Sequence, residues 1–362
     1  MNLAWWPQTA DTRVASARLR CFRIVEHLRG LGMAARVYEP GSAAPDVLVL
    51  SKRYDAESLS HATALRARAG TALVLDLCDN HFYFESDPDG RLQRRADALR
   101  RAAANVQLVV TASQALADIV QDQAPGARAV KVVEDAVEPP HAPSGWERLA
   151  NWRAHRELRA LSRWLAAHPD VSAASRCIWF GNHGSPGVDG GLADLRRIRG
   201  DMEQAARQHG PLSLTVISNN PAKFADVTLG WSLPTHYMPW HPSTFSLAMM
   251  MHGMAMIPIN VNPFTLCKTA NRVLTAFQHG LAVVGDSIPS YAEFRDCAVL
   301  DNWDAGLGSY RLDAPSRQAD IIQGRAIASG RFGLDAIAGQ WLAVLGALHP
   351  AAASTSPRSP AP

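Results

Sequence analysis

Short apolar runs that alternate with segments of helical periodicity are the feature that most constrains the fold of this chain. The first such runs, rich in Val, Leu and Ile, are LAWW, ARVYE, DVLVLS, ALVLDLCD, VQLVVTAS and VKVVEDAV. A continuous apolar run is typical of a strand buried on both faces, as in a parallel sheet covered by helices. The N-terminal part of the sequence therefore predicts an α/β domain with a parallel sheet.

A second series of the same kind predicts a second α/β domain, with strands in CIWFGN, LSLTVISN, HYMPW, MAMIPIN, LAVVGD and AVLD. Between the two series, the prolines of EPPHAPSG interrupt regular structure and an Arg- and Trp-rich helical stretch follows. We expect an N-terminal domain over 1–138, a helical linker over 139–175 and a C-terminal domain over 176–330. Residues 331–348 form a helix that either crosses back to the first domain or caps the second, and 349–362 form a disordered tail.

Length and composition agree with a globular protein of two domains. The chain has 362 residues, 47% of them hydrophobic, and no uncharged apolar run is long enough to cross a bilayer. The N-terminus resembles a first strand more than a signal peptide, which favours the cytoplasm. The five cysteines are scattered without a CxxC pair, so we expect buried thiols, with neither a disulfide framework nor a metal site.

The charge distribution bears on the choice of partner. The net charge of +3 is small, and we expect no nucleic-acid partner. Arginines are nevertheless concentrated in RLQRRADALRR and ERLANWRAHRELRALSRW. Such segments favour phosphate groups or an acidic membrane surface, so peripheral contact with the inner face of the membrane is one interpretation; solvated helix faces are the other.

The segment after the first strand, WWPQTADTRVASARLR, contains no GxGxxG motif, which disfavours a nicotinamide- or flavin-dependent enzyme. It does place Ser16, Arg18 and Arg20 near the start of a helix. A hydroxyl and two guanidinium groups there can hold an anionic or polyhydroxylated acceptor. Alternatively, Ser16 is only a helix cap.

The fourth predicted strand ends in DLCDNHFYF, where Asp79 and His81 lie close together. A carboxylate and an imidazole at the tip of a central parallel strand can act as a general base or bind sugar hydroxyls. The alternative is a turn stabilised by Asp and Asn side chains, in which His81 has no chemical role.

The second domain begins with IWFGNHGSPGVDGG, a glycine-rich loop directly after a strand. Gly181, Asn182, His183 and Gly184 allow the backbone to approach a ligand, and amides of the next helix can hold a phosphate. The GxxGxxG spacing is neither a Rossmann nor a Walker A motif. His183 faces either the ligand or solvent.

The segment NPFTLCKTANRVLTAF predicts a helix whose first turn carries cations. Lys268, Asn271 or Arg272, and Thr275 share one face by their spacing. Cations at a helix N-terminus oppose the helix dipole, and a bound diphosphate compensates for this cost. Pairing of Lys268 and Arg272 with surface carboxylates is the alternative, although the segment itself contains no acidic residue.

These motifs resemble the nucleotide-sugar glycosyltransferases of the GT-B fold, in the broad group that includes the family 4 type. The resemblance is carried by IWFGN with its glycine loop, YMPW, MIPINVNPFTLCKTANRVLTAFQHGLAVVGDSIPSY, VVTASQALADIV and VKVVEDAVEPP. It implies two Rossmann-like domains whose parallel sheets face a cleft. It also implies transfer of a sugar from a nucleotide diphosphate sugar to a glycan or lipid-linked acceptor, without a metal or another cofactor.

The resemblance also implies roles for individual residues. Lys268 and Arg272 would face the diphosphate, the region of Trp240 would lie near the nucleobase, and Asp79 or His81 would contact the transferred sugar or the acceptor. Thr275 aligns with a glutamate that binds the donor ribose in many relatives.

Two departures from the family pattern concern the donor. Thr275 is not an acid, and its partner position holds Cys267 rather than a carboxylate. The glycine loop also lacks the basic pair that relatives often carry. Our interpretation is a cytoplasmic enzyme of surface or secreted polysaccharide synthesis; a sugar-nucleotide epimerase of the same fold and a non-catalytic nucleotide- or glycan-binding module are the alternatives.

Overall fold

The computed structural model describes residues 1–348 and contains two parallel sheets of six strands each. Every strand predicted from the apolar runs is present. The first sheet consists of β1 (Leu3–Pro7), β2 (Ala35–Val37), β3 (Val47–Ser51), β4 (Ala72–Leu77), β5 (Leu108–Thr111) and β6 (Val130–Val132). The second consists of β7 (Arg176–Phe180), β8 (Ser213–Ser218), β9 (Thr235–Pro239), β10 (Met254–Ile257), β11 (Ala282–Gly285) and β12 (Val299–Leu300). The predicted tail, 349–362, lies outside the described residues.

The first sheet has the strand order β2-β1-β3-β4-β5-β6. Its helices are α1 (Ala15–Ala17), α2 (Arg23–Gly30), α3 (Ala56–Ala69), α4 (Arg91–Asn105) and α5 (Gln114–Gln123). Residues in β1, β3, β4 and β5 are buried along their whole length, because helices cover both faces of the sheet. The α/β prediction for this part of the chain is confirmed.

The second sheet has the strand order β12-β11-β10-β7-β8-β9. Helices α6 (Gly145–Ala150) and α7 (Trp152–Ala166) lead into it. The helices around it are α8 (Arg199–His209), α9 (Pro221–Val227), α10 (Pro242–Met249), α11 (Asn271–Gln278), α12 (Trp303–Leu312) and α13 (Ala314–Arg331). Shorter 3₁₀ segments run over Ala173–Ser175, Gly191–Ile198, Thr265–Cys267 and Pro289–Phe294.

The last helix, α14 (Leu334–Gly346), packs on the first sheet although it follows the second in the chain. The Trp341 ring meets the Trp5 ring edge to face, with centroids 5.8 Å apart, and both side chains are fully buried. Burial of two indoles is a large apolar contribution to stability. This contact joins the last helix of the described residues to the first strand.

The first helical region contains a buried arginine. A π-helical segment, Arg18–Phe22, joins α1 to α2, and Arg20 within it is 1% exposed. Arg20 precedes Ile24 by four residues and Leu28 by eight, so the three lie on one helix face. Because Ile24 and Leu28 are fully buried, that face carries Arg20 into the core of the first domain.

None of the helices within residues 1–348 is both long and apolar enough to span a bilayer.

The buried imidazole of His252 predicts loss of stability in mild acid. Its Nδ1 contacts the Ala248 carbonyl and its Nε2 contacts Thr215 Oγ1, each at 2.8 Å, and burial lowers the pKa of His252 to about 4. In the unfolded chain the imidazole of His252 has its ordinary pKa of 6.5. The stability that the neutral, buried imidazole contributes is therefore complete above that pH and is lost as the pH falls towards 4. When the pH is lowered from about 7 to about 5, the free energy of unfolding of the unmodified chain should fall. We expect this fall to be roughly 2 kcal/mol larger than the fall for the His252→Asn variant, which lacks the imidazole. Urea denaturation at the two pH values measures this; equal losses contradict it.

Candidate active site

The two sheets place the ends of their strands at a shared cleft. The strand order changes direction between β1 and β3 in the first sheet and between β7 and β10 in the second. In open parallel sheets, ligands bind beyond the carboxyl ends of the strands at such switch points. The predicted glycine loop follows β7, and the predicted cationic segment follows β10.

A buried charge cluster in the first domain reaches across this cleft. The guanidinium of Arg20 donates to Asp76 Oδ1 at 2.8 Å and to Asp135 Oδ1 at 2.7 Å, and all three side chains are at most 5% exposed. The second oxygen of Asp135 accepts hydrogen bonds from Thr269 Oγ1, at 2.9 Å, and from Asn271 Nδ2. The cluster therefore connects the core of the first domain to the start of α11.

This cluster changes the prediction made for Arg20. Its guanidinium is enclosed and is bonded to two carboxylates and to the Val133 carbonyl. A guanidinium held in this way cannot also contact an acceptor, so the role expected for Arg20 is wrong. Its structural role follows from the need to pair a buried charge.

Asp79 lies between two lysines from different domains. Lys52 Nζ, at the end of β3, lies 2.5 Å from Asp79 Oδ2, and Lys268 of the second domain contacts Oδ1. Burial would raise the pKa of Asp79, but Lys268 and Lys52 hold it well below its usual range. Lys52 has φ 52°, in the left-handed region that costs a non-glycine residue energy, and such strain is common at functional sites. A carboxylate that stays ionised in this way is a weak proton acceptor.

His81 is held by hydrogen bonds at both ring nitrogens. Nδ1 lies 2.7 Å from Tyr54 Oη, and Nε2 lies 2.9 Å from the Arg95 guanidinium, which also donates to Tyr54 Oη at 2.6 Å. Arg95 has only donors, so Nε2 accepts and Nδ1 carries the proton. Burial and the nearby cations lower the pKa of His81 well below its usual range. His81 is therefore a neutral, engaged side chain and is poorly suited to be a general base.

The start of α11 differs from the predicted helix. Lys268 is extended, with φ −66° and ψ 153°, and the helix begins three residues later at Asn271. The first turn therefore carries Asn271 and Arg272 but not Lys268. No side chain caps this end of α11, which leaves its first amides available to an anion. Lys268 pairs with Asp79, a carboxylate that the local sequence could not reveal.

Arg272 lies deeper in the second domain. Its guanidinium carbon is 6.0 Å from the centroid of the Trp179 ring. The nearby Asp194 is 3% exposed and accepts a hydrogen bond from the Gly191 amide at 3.0 Å. Burial raises the pKa of Asp194 to about 6, even though Arg272 acts to lower it. This carboxyl group therefore changes its charge near neutral pH.

The glycine loop forms part of the boundary between the domains. The Gly187 carbonyl accepts from the Glu85 amide at 2.7 Å, and the Asp189 amide donates to Glu85 Oε2 at 3.0 Å. Gly187 has φ 68°, and a Cβ there would lie 2.5 Å from Leu92 of α4 and from the Ser86 carbonyl. Only glycine fits at this position, because the loop backbone meets the first domain directly.

The beginning of the same loop carries the residues predicted to bind the donor. Asn182 is exposed, and both the amide and Nδ1 of His183 contact Asn219 Oδ1, at 3.1 and 2.8 Å. Lys223, from the first turn of α9, donates to the His183 carbonyl at 2.8 Å. Its Nζ lies 3.4 Å from the position of a Cβ on Gly184, so a cation lies beside this glycine. The loop thus receives the basic group that its own sequence lacks.

The residues predicted at the nucleobase and acceptor ends adjoin one another. The Arg18 guanidinium lies 5.4 Å from the centroid of the Trp240 ring and forms an ion pair with Glu138 at 2.9 Å. Ser16 is half-buried on α1. Thr275 is half-buried on α11, where its carbonyl contacts His279 Nδ1 at 2.7 Å. The Trp240 region therefore contacts the acceptor-side residue Arg18.

Sequence reasoning missed four residues that surround the cleft: Lys52, Asp135, Asp194 and Lys223. Asp135 follows β6 within VKVVEDAV and could have been found as a polar residue at a strand end. Lys223 is a cation in the first turn of a helix, the same signal that identified Arg272. Lys52 directly follows β3 and could have been found in the same way as Asp135, whereas Asp194 lies away from a strand end and gave no comparable signal.

Within residues 1–348, no group of three or more His, Cys, Asp or Glu side chains is arranged to hold a metal ion.

Comparison with known proteins identifies the architecture. No protein-family model matches the sequence, and no curated protein matches it significantly. Among solved structures, HepE from Anabaena in complex with UDP and glucose superposes with a TM-score of 0.63 at 14% identity, covering 96% of this chain and 100% of HepE. Sucrose-phosphate synthase from Thermosynechococcus elongatus gives a TM-score of 0.65 at 11% identity, covering 96% and 99%. A trehalose-phosphate synthase from Burkholderia vietnamiensis gives 0.53 at 13% identity, covering 94% and 81%.

The chain has the GT-B fold. The fold class inferred from the sequence motifs is therefore confirmed, with two six-stranded parallel sheets that face a cleft. HepE and sucrose-phosphate synthase are matched over almost their full length, so the GT-B likeness includes both sheets and the cleft between them.

The ion pairs of Asp79 predict a specific stability loss. We expect Asp79→Asn to lower the free energy of unfolding by about 3 kcal/mol, because it leaves the ammonium of Lys52, 13% exposed, without its carboxylate. Asp89→Asn is the matched control: Asp89 and its partner Arg91 are each 66% exposed, and the expected loss is below about 1 kcal/mol. Chemical denaturation measures both, and equal losses contradict the assignment.

Proposed function

We propose that the protein is a glycosyltransferase that transfers a sugar from a nucleotide diphosphate sugar to a glycan or lipid-linked acceptor in polysaccharide synthesis. The observation that carries the proposal is that cations accompany both strands of the switch point in the second sheet: Lys223 contacts the loop after β7, and Lys268 and Arg272 follow β10. Lys268 and Arg272 come from the segment that leads into the uncapped start of α11, whereas Lys223 comes from α9 and donates to the glycine loop. Such an arrangement suits the two phosphates of a nucleoside diphosphate.

In this proposal the cations catalyse the reaction by stabilising the leaving group. As the bond between the sugar and the diphosphate breaks, negative charge accumulates on the leaving phosphate. Lys268, Arg272 and the first amides of α11 stabilise this charge, because they are already in place when the bond breaks. The proposal therefore requires no metal ion, and a chelator is expected to leave donor binding unchanged.

Lys268 binds Asp79 in the present structure, so the donor competes with a carboxylate. The diphosphate carries more negative charge than Asp79 and can attract Lys268 towards the second domain. Asp79 then faces the cleft with Lys52 as its remaining partner. There it can contact the transferred sugar or the acceptor, as an ionised group rather than a proton acceptor.

Around the donor, Asn182, His183 and Gly184 approach the phosphates, and Asn271 fixes the start of α11 through Asp135. Trp240 and Thr275 border the nucleobase and ribose, and Ser16 and Arg18 border the acceptor. His81 acts as a positioning residue, because its ring nitrogens are engaged by Tyr54 and Arg95. The cytoplasm is the proposed compartment, in agreement with five free cysteines, four of them buried.

Binding of nucleoside diphosphates tests the assignment of Lys268 and Arg272. Titration calorimetry with uridine, guanosine, adenosine and thymidine diphosphates should give binding for at least one. Because a charge-assisted hydrogen bond contributes roughly 1.5–3 kcal/mol, Lys268→Ala and Arg272→Ala should each weaken this binding about tenfold or more. Asp79→Asn should strengthen it, because Lys268 is then free.

Arg207→Ala is the matched control, since Arg207 is an exposed cation on α8 away from the cleft, and it should bind like the unmodified chain. The diphosphate assignment is wrong if all four variants bind equally well. The transferase proposal as a whole is wrong if no diphosphate and no nucleotide sugar binds. Incubation with the bound nucleotide sugar then separates the classes: a transferase releases the nucleoside diphosphate, whereas a binding module leaves the donor intact.

A further inference from the structure

Helices α6 and α7 carry a surface that the cleft does not use. No residue of α6 is buried, and the side chains of Trp146, Leu149 and Trp152 are 78%, 63% and 52% exposed. Single exposed apolar residues are ordinary, but three large ones at intervals of three residues form a patch. Two of the three are tryptophans, which expose both an apolar ring and a polar N–H group.

Arginines continue this surface along α7. Arg156, Arg159 and Arg163 are exposed and recur with helical spacing from Trp152, so the four share one face of the helix. The opposite face, which includes Leu158 and Leu161, is buried against the second domain. The exposed face of α7 is therefore cationic along its length and continues into the apolar patch on α6.

Acidic residues neutralise only part of this surface: Glu157 pairs with Arg156 at 3.5 Å, whereas Arg159 and Arg163 have no carboxylate within ion-pair distance among the described residues. Residues 145–166 contain five arginines and two glutamates, an excess as large as the net charge of the whole chain. One of the glutamates, Glu147, is used locally: it accepts from the Ser144 amide at 2.8 Å in a capping box and contacts His141 Nε2 at 3.1 Å. We call the exposed faces of α6 and α7 the Trp/Arg surface.

We propose that the Trp/Arg surface docks on a membrane that contains anionic lipids. Tryptophan and leucine side chains partition into the interface between headgroups and acyl chains, and arginines beside them attract anionic headgroups. The surface offers both, on two consecutive helices. This inference does not depend on the proposed transferase activity.

Charge also argues against a second copy of the chain as the occupant. In a symmetric dimer the same patch meets itself, so the arginines of α7 would face the arginines of the partner copy. Like charges brought together in this way are unfavourable. An anionic bilayer has the complementary sign and accepts the tryptophans as well.

The surface is also connected to the cleft. His155 Nε2, on the buried side of α7, lies 2.9 Å from Ser243 Oγ in the first turn of α10. That helix begins two residues after Trp240, which contacts Arg18 of the first domain. A bilayer bound to the Trp/Arg surface would therefore lie against α7. That helix contacts the start of α10, next to the Trp240 end of the cleft.

Vesicle sedimentation of the full chain tests the proposal. We expect binding to vesicles of phosphatidylcholine with about 30% phosphatidylglycerol, and at least roughly tenfold weaker binding to phosphatidylcholine alone. The triple variant Arg156→Gln, Arg159→Gln, Arg163→Gln should bind the anionic vesicles about a hundredfold more weakly, since each arginine near such a surface contributes roughly fivefold. Trp146→Ser, Leu149→Ser, Trp152→Ser should weaken binding about tenfold and abolish the blue shift of tryptophan fluorescence on lipid addition.

Two control variants match these changes elsewhere on the surface. Leu229, Leu312 and Ile322 are 78%, 72% and 59% exposed, and their replacement by serine should leave vesicle binding unchanged. The charge control is the triple variant of α4, Arg91→Gln, Arg94→Gln, Arg101→Gln. The factor by which it weakens binding to anionic vesicles should be less than a tenth of the factor for the α7 variant. The proposal is overturned if the chain binds neither vesicle, binds both equally, or loses as much affinity in a control as in its matched variant. It is also overturned if sedimentation without lipid shows a dimer that the tryptophan variant abolishes.

Discussion

A buried guanidinium that binds two carboxylates organises the cleft of this protein. Arg20 brings Asp76 and Asp135 together from the ends of β4 and β6, and Asp135 reaches across the cleft to Thr269 and Asn271. Breaking a buried ion pair leaves an uncompensated charge, so these groups depend strongly on one another. The position of α11, and with it the candidate diphosphate site, therefore depends on the core of the first domain.

A second set of charges, centred on Asp79, lies nearer to solvent in the cleft. Asp79 pairs with Lys52 of its own domain and with Lys268 of the other domain. The Lys52 side chain is 13% exposed and the Lys268 side chain is 36% exposed. The Arg20 cluster is enclosed and has no room for a ligand, whereas the Asp79 cluster lies where a ligand can replace one partner. The first cluster thus holds the domains in register, and the second is the one in which the proposed donor would replace a partner.

The sequence predicted the sheets well because each strand is a continuous apolar run, and burial on both faces produces that signal locally. It also indicated the glycine loop, Lys268 and Arg272 as candidates for a binding site, since glycine and cations at strand ends have few local explanations. It could not predict the partner of Lys268, because Asp79 is 189 positions away and only the packing of the two domains brings them together. Arg20 was misjudged for the same reason: a buried arginine becomes plausible only when Asp76 and Asp135 are known to meet it. The acids missing at Cys267 and Thr275 have no obvious substitute on α11, while Asp194 adds a carboxyl group from a neighbouring segment.

The most direct test of the central claim is a crystal structure of the chain with a bound nucleoside diphosphate. The measured quantity is the distance from Lys268 Nζ to the nearest phosphate oxygen. Our account predicts a hydrogen bond of about 2.7–3.2 Å, with Arg272 and the first amides of α11 facing the same phosphates and Asp79 released from Lys268. A diphosphate bound elsewhere, or one bound while Lys268 remains paired with Asp79, would contradict it.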